Sequence, residues 1–325
     1  MIIVTGGAGF IGSALVWHLN QSGQRNIVIA DELGLDQKWQ NLAKRQINNF
    51  IHKNELFHWL ENQKEPVEAV FHLGACSSTT EADGDYLIRN NVHYSMKLFE
   101  YCTQKKIPFI YASSAATYGN GEKGYSDDHS KLNLLRPINK YGYSKQLFDV
   151  WATQQKAQPP FWAGLKFFNV YGPNEYHKGG QSSVVFAAFP QVRDAQSLKL
   201  FKSYNSDYKD GEQLRDFVYV KDVVKVMEHL WKNHQQIKSN IFNLGSGKAR
   251  TFLDLGRAVF KVMEIPERIN WIEMPNNVKN QYQYFTEADL TKLRSVAEYN
   301  APMTTLEDGI KDYLKNHLMH EDPYL

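Results

Sequence analysis

Short apolar runs alternate with amphipathic stretches through the first half of the chain, the pattern of a parallel sheet with helices on both faces. Ile2-Ile3-Val4 reads as a first strand, followed by Gly6-Gly7-Ala8-Gly9-Phe10-Ile11-Gly12 and an amphipathic stretch to about Gln21. Ile27-Val28-Ile29-Ala30 reads as the next strand and ends on Asp31. Two more are expected at Ala69-Val70-Phe71-His72-Leu73 and Phe109-Ile110-Tyr111-Ala112. A helix is expected from Tyr141 to about Gln155, before Pro159-Pro160 break the pattern. Leu165-Lys166-Phe167-Phe168-Asn169-Val170 then reads as one further buried strand.

Beyond Pro173 the texture changes. Residues 174–215 are rich in Gly, Ser, Asn, Asp and Tyr and hold only short apolar runs. Phe217-Val218-Tyr219-Val220 returns to strand, and Asp222 to Trp231 reads as a helix. Ile241-Phe242-Asn243-Leu244 before Gly245-Ser246-Gly247 is another strand and turn, and Leu306 to Leu318 makes a terminal helix. The expected fold class is α/β. A doubly wound parallel sheet occupies residues 1–172, completed by part of 214–248, and a smaller mixed α/β domain over 173–325 is interleaved with it. Neither an internal repeat nor a low-complexity tract is visible.

Length and composition narrow the class. The 325 residues amount to about two domains at ~150 residues each. A formal net charge of +2 argues against a nucleic-acid protein held by a broad basic surface. With 42% hydrophobic and 22% charged residues the chain is an ordinary globular protein rather than a disordered one. No run approaches the ~18 apolar residues of a membrane span. Met1 leads straight into a strand and a glycine turn instead of a secretory signal, so a cytoplasmic protein is expected. Cys76 and Cys102 are too few for a disulfide framework and match no zinc spacing. They could pair if the fold brought them together, but reduced thiols and no metal are the expectation.

Gly6, Gly9 and Gly12 follow a strand and open a helix, which gives their GxxGxxG spacing its weight. Glycines there let backbone amides approach a pyrophosphate, whose charge sits at the helix N-terminus. Asp31 lies about 20 residues on, where a carboxylate usually bonds the adenosine ribose. That favours NAD, since Asp31 repels a 2′-phosphate. Lys38 and Lys53 lie downstream and could neutralise one, so charge alone leaves NAD and NADP close to even.

Tyr141-Gly142-Tyr143-Ser144-Lys145 contains Tyr-x-x-x-Lys on an expected helix. At i and i+4 the two side chains share a face, about 6 Å apart at Cβ. A phenol titrates near 10, and a nearby ammonium stabilises the phenolate and pulls that value down towards a useful range. Lys145 is also placed to hold the nicotinamide ribose. Ser113 and Ser114 end a strand where doubly wound sheets carry their chemistry, and a hydroxyl there can bond a substrate oxygen beside Tyr141.

The loop GGAGFIG, the run YASSAATYG at 111–119, YGYSK at 141–145 and RDFVYVKDV at 215–223 resemble the extended short-chain dehydrogenase/reductase superfamily, which has the Rossmann fold. GACSSTTE at 74–81, FFNVYGPNEYHKG at 167–179 and YQYFTEADLTKLR at 282–294 are closer still to the ADP-L-glycero-D-manno-heptose 6-epimerase family. The resemblance runs from Met1 to about Tyr313.

It implies roles residue by residue. Phe10, Ile11, Asp31, Glu32, Lys38, Lys53, Asn90, Lys145 and Val170 fall where that family binds its cofactor, usually NADP. Leu73, Gly74, Ala75, Cys76 and Ser77 match a stretch lining the cofactor. Tyr141 and Lys178 match its two acid/base residues, with Ser114 beside them. Asn169, Gly180, Phe201, Arg215 and Tyr282 match positions toward the nucleotide-sugar. Gly180 and Ala187 stand where a serine and a histidine are the rule, and residues 203–214 carry extra residues. The implied reaction is 6-epimerisation of an ADP-heptose for lipopolysaccharide inner-core supply, in a homo-oligomer, a pentamer by resemblance.

The chemistry gives Lys178 a reason. Inverting a carbinol carbon by oxidation and re-reduction presents the ketone to hydride on both faces, and each orientation needs its own acid/base group. A dehydratase of the superfamily usually carries Asp-Glu after the active-site hydroxyl, where this chain has Ala115-Ala116. A non-catalytic dinucleotide sensor would have no use for Ser114, Tyr141 and Lys145 together. His317 and His320 read as a fraying helix end rather than a metal site, and Trp151, Trp162 and Trp231 as core.

Overall fold

The protein is described by a computed structural model covering residues 1–275, 279 and 282–325. The chain begins with β1 (Ile2–Thr5), α1 (Phe10–Gln21), β2 (Ile27–Asp31), β3 (Asn49–His52) and α2 (Leu56–Asn62). It continues through β4 (Ala69–His72), α3 (Gly84–Leu87), α4 (Tyr94–Lys105), β5 (Phe109–Ser114), α5 (Lys140–Gln154) and β6 (Trp162–Phe167). These strands and β10 (Asn240–Leu244) form a seven-stranded sheet of order β10-β6-β5-β4-β1-β2-β3. Every neighbouring pair in it is parallel.

Residues of β1 alternate between two cores, as a strand buried on both faces must. Ile2 and Val4 pack with Leu15, Val16 and Leu19 of α1. Ile3 packs on the opposite face with Phe99 of α4, Phe148 of α5 and Trp162. The strand order reverses between β1 and β4, so the carboxyl ends of β1, β4, β5 and β6 open a crevice there.

The run expected as one strand from Leu165 to Val170 is two. The Phe168 amide donates to Leu244 O (3.1 Å), and Phe168 O accepts from Val170 (3.0 Å), a turn that lifts the chain out of the sheet. Beyond it, β7 (Asn169–Tyr171) pairs with β9 (Leu214–Tyr219), which also pairs with β11 (Ala249–Thr251). Between them lie α6 (Val184–Ala195) and β8 (Leu198–Phe201), and β8 pairs with β12 (Ile269–Ile272). The helix expected from Asp222 begins at Val220 as α7 (Val220–Lys232), and α8 (Phe252–Met263) starts on a capping box from Thr251.

The terminal helix Leu306–Tyr313 runs into a wider turn, Leu314–Leu318, and it does not fray. His317 is buried, and its Nδ1 lies 3.0 Å from Pro323 O because the last residues fold back over it. Cys76 is half-buried, Cys102 is buried, and both are free thiols. No helix among the described residues is long and apolar enough to cross a membrane.

Candidate active site

Glycine is required in the loop after β1. A Cβ on Gly12 would lie 2.1 Å from Gly6 O, and one on Gly6, whose φ is +66°, would lie 2.6 Å from Gly74. This close approach brings the loop against the segment after β4. No side chain caps the start of α1, so its first amides remain available to an anion.

A cavity of about 1080 Å³ opens at this point. Gly6, Gly9, Phe10, Ile11, Gly12, Asp31 and Lys38 line one end, and Leu73, Gly74, Ala75 and Ser77 line its floor. Ser114, Tyr141 and Lys145 come from β5 and α5, and Asn169 and Val170 from β7. Lys178 and Gly180, in the short turn Tyr176–Gln181, complete the wall. Tyr141 and Lys145 are placed by α5, whose first turn is fixed by Asn139 Oδ1 accepting from the Gly142 amide at 2.7 Å.

Other residues singled out in the sequence lie outside this wall. Lys53 pairs with Glu32 at 2.6 Å behind the β2 end. The Cys76 amide and Asn90 Nδ2 both donate to Asn91 Oδ1, at 2.9 and 3.0 Å. Phe201 closes β8. Arg215 lies 5.0 Å from the Tyr282 ring and 5.7 Å from Phe252, and Phe252 does line the cavity. Burial pushes the Arg215 guanidinium below its ordinary value, and its titratable neighbours are the phenols Tyr282, Tyr125 and Tyr208.

The amines and phenol of the site are governed by desolvation. Burial raises the Tyr141 phenol above its ordinary value, and the Ser114 hydroxyl offsets part of this. The lowering expected from Lys145 is not realised here. Its Nζ donates to Ala112 O at 2.9 Å, turned toward β5, and burial pulls the ammonium down to about 8. Ser114 also caps the turn that follows, its Oγ accepting from the Ala116 amide at 3.1 Å.

Burial likewise lowers Lys178, whose Nζ lies 5.2 Å from the Phe10 ring, while the Glu175 carboxylate opposes the shift. Glu175 is itself fully buried and accepts from Ser183 Oγ at 2.7 Å and the Gly172 amide at 3.2 Å. An amine so desolvated reaches its neutral, proton-accepting form at a lower pH than an exposed lysine.

Several lining residues escaped the sequence reading. Thr79 and Thr80 sit inside the stretch GACSSTTE, and His177 adjoins Lys178, so both carried a local signal. Phe217 lies inside RDFVYVKDV, whereas Asp36 and Phe252 carried no local signal.

The chain matches the NAD dependent epimerase/dehydratase family over residues 2–245. It is 52% identical to an ADP-L-glycero-D-manno-heptose-6-epimerase of Fusobacterium nucleatum, with the whole of both chains covered. A protein of the same name from Nitratidesulfovibrio vulgaris is 48% identical over the full length of both. The crystal structure of the Helicobacter pylori ADP-L-glycero-D-manno-heptose-6-epimerase superposes with a TM-score of 0.80 at 29% identity, covering 97% of this chain and 95% of that one. The chain belongs to the NAD dependent epimerase/dehydratase family and, within it, to the ADP-L-glycero-D-manno-heptose-6-epimerases.

Proposed function

We propose that the protein interconverts ADP-D-glycero-D-manno-heptose and ADP-L-glycero-D-manno-heptose by oxidation and re-reduction at carbon 6. The observation that carries this reading is that Tyr141 and Lys178 enter one cavity from separate elements, with Ser114 on the same wall. One group then serves each orientation of the inverted carbon.

A dinucleotide fits the other end. The glycine cradle has no room for a Cβ, and the uncapped helix start favours the pyrophosphate. When bound, the nicotinamide ring supplies a hydride acceptor and donor, so one cofactor closes the cycle with no net redox change. Lys145 orients the nicotinamide ribose. Ser114 and Tyr141 bond the carbon-6 oxygen, and Tyr141 holds or releases its proton. Lys178 is its counterpart on the other face: as an ammonium it gives the oxygen its proton when the carbon is re-reduced there, and as the neutral amine that burial favours it takes the proton in the reverse direction. The buried Arg215, with Tyr282 and Phe201, receives the ADP portion of the substrate at the far end.

NADP is the proposed cofactor, with NAD the alternative. Asp31 accepts from the Ala8 amide at 2.8 Å and from Lys38 Nζ at 2.7 Å, so a lysine already stands beside the carboxylate where the adenosine ribose would lie. Lys38 and Lys53 stand at that end of β2 to meet a 2′-phosphate. The proposal also assigns the dinucleotide to residues 1–172 with the 214–248 strands, and the nucleotide-sugar to the rest of 173–325. A homo-oligomer, a pentamer, is part of the same reading, and light scattering that returned a monomer mass would remove it.

The deciding experiment incubates the protein with each ADP-heptose epimer and separates the products. Tyr141→Phe and Lys178→Met should each suppress both directions by about 10²–10⁴-fold, since every turnover uses both groups. Each should retain cofactor, because the glycine loop and Lys145 are untouched. Epimerisation by Lys178→Met at the wild-type rate returns Lys178 to an ordinary wall residue.

A further inference from the structure

The turn Gln37–Leu42 and the turn carrying Lys178 are joined by one side chain. Asn41 is 2% exposed, and its Nδ2 donates to Ala8 O in the glycine loop at 2.9 Å. The same nitrogen lies 3.2 Å from His177 Nδ1. Ala8 O can only accept, so the orientation of the Asn41 amide is fixed. Its second hydrogen then points at His177 Nδ1, which must accept it, and the imidazole carries its proton on Nε2. This orientation leaves Asn41 Oδ1 buried without a partner among the described residues. The contacts through Nδ2 therefore decide how the amide sits.

The same two turns meet again through the end of the chain. Tyr176 donates its hydroxyl to Pro323 O at 2.8 Å, the Leu325 amide donates to Asn174 Oδ1 at 3.0 Å, and the Tyr324 hydroxyl donates to Gln40. On its other flank the Lys178 turn is held by buried Glu175. The turn is thus fastened to the loop that cradles the dinucleotide, and not merely laid across it.

We propose that Asn41 and His177 are positioning residues that key the Lys178 turn to the glycine loop, so that Lys178 stands over the reacting carbon when the loop holds its ligand. The proposal rests on the acid/base reading of Lys178. Neither residue reacts. Each acts through the place it gives Lys178. The fastening needs neutral His177, because a proton on Nδ1 would set two donors against each other. Burial keeps that proton off, and the charged groups around the ring are Asp36, Lys38, Lys178 and Asp31.

The test uses the full chain with Asn41→Leu, His177→Leu, His177→Gln and Lys178→Met side by side. Both Leu variants should lower kcat about 10- to 100-fold, the scale of a small misplacement of a reacting group. KM for the nucleotide-sugar should stay within about threefold, because Arg215, Tyr282 and Phe201, which receive its ADP portion, lie elsewhere. The limb of the pH–rate profile governed by Lys178 should move to higher pH, since a loosened turn readmits water to the amine. His177→Gln, which restores an acceptor, should recover most of the rate and the limb. Inactive Lys178→Met together with a wild-type rate and pH profile in His177→Leu overturns the fastening alone. A loss of rate in His177→Leu with no shift of the limb and no recovery in His177→Gln also overturns it. Active Lys178→Met overturns the reading of Lys178, and this proposal with it. If Asn41→Leu does not fold, the half-buried His177 pair decides.

Discussion

Lys145 and Lys178 are both lysines stripped of water in one cavity, yet their neighbours differ. Lys145 donates to a strand carbonyl and faces the Asp149 carboxylate, whereas the carboxylate that favours the charged form of Lys178 is Glu175. On the proposed reading Lys178 must be neutral in the direction in which it takes the proton, so the rate in that direction should rise as pH climbs through its lowered pKa. Glu175→Gln removes the opposing charge, lowers that pKa further and should move the limb to lower pH, as a pH–rate profile will show. At the cofactor's other end, Lys53→Ala should weaken NADP retention and leave NAD retention unchanged. Analysis of the cofactor released on denaturation decides this, and finding only NAD in both proteins reverses the choice. The glycines, Tyr141, Lys145 and Ser114 were legible in the sequence because their meaning lies in spacing along one strand or helix. Asn41 was not, because its partners, Ala8 O and His177, lie far away in the chain. The expected lowering of Tyr141 failed for another reason: spacing places a charge, but only the packed structure says how much water is lost.

Helix α5 shows how an element is held as well as where it begins. Asp149, two turns beyond Tyr141, accepts from Tyr111 at 3.0 Å, from Ser113 at 2.7 Å and from Lys166 at 2.6 Å. Lys166 donates further to Thr117 at 2.7 Å, and both charged side chains are fully buried. The pair fastens α5 to β5 and β6 under the cavity wall. Lys166→Met leaves the Asp149 charge uncompensated and should cost about 3–5 kcal/mol in urea unfolding. The double variant Lys166→Met/Asp149→Leu should regain much of that loss, since an apolar pair avoids the unpaired charge. Element existence was readable where continuous apolar runs mark β1 and β2 and where the glycine loop and the Tyr-x-x-x-Lys spacing mark α1 and α5. The split of Leu165–Val170 was not. Its apolar residues continue across the break, and the break at Phe168 is made by a hydrogen bond to Leu244 from a strand over 70 residues later. The helices α4, α6 and α8 were not singled out, although α6 buries Val185, Ala188, Phe189 and Val192 and α8 buries Leu255, Ala258, Val259 and Phe260 on apolar faces.

At the scale of the whole molecule, the doubly wound order and the switch point between β1 and β4 gather the cavity around the carboxyl ends of β1, β4 and β5. That much follows from parallel strands and right-handed crossovers. The contribution of β10 has a different kind of consequence. It pairs with β6 along five residues, Ala163 to Phe167 against Asn240 to Leu244, and it is the last strand of the main sheet to be synthesised. While a ribosome has released only the first 172 residues, the edge of β6 is bare, and it is lined by buried residues such as Trp162, Ala163 and Leu165. An apolar unpaired edge of this kind invites pairing with another nascent chain. Residues 1–172 expressed alone should therefore aggregate, and extension to residue 245 should restore solubility, as sedimentation of the two fragments will show. In a cell the same interval defines a window, about 70 codons long, during which delay in translation exposes the chain to chaperones or to its own copies.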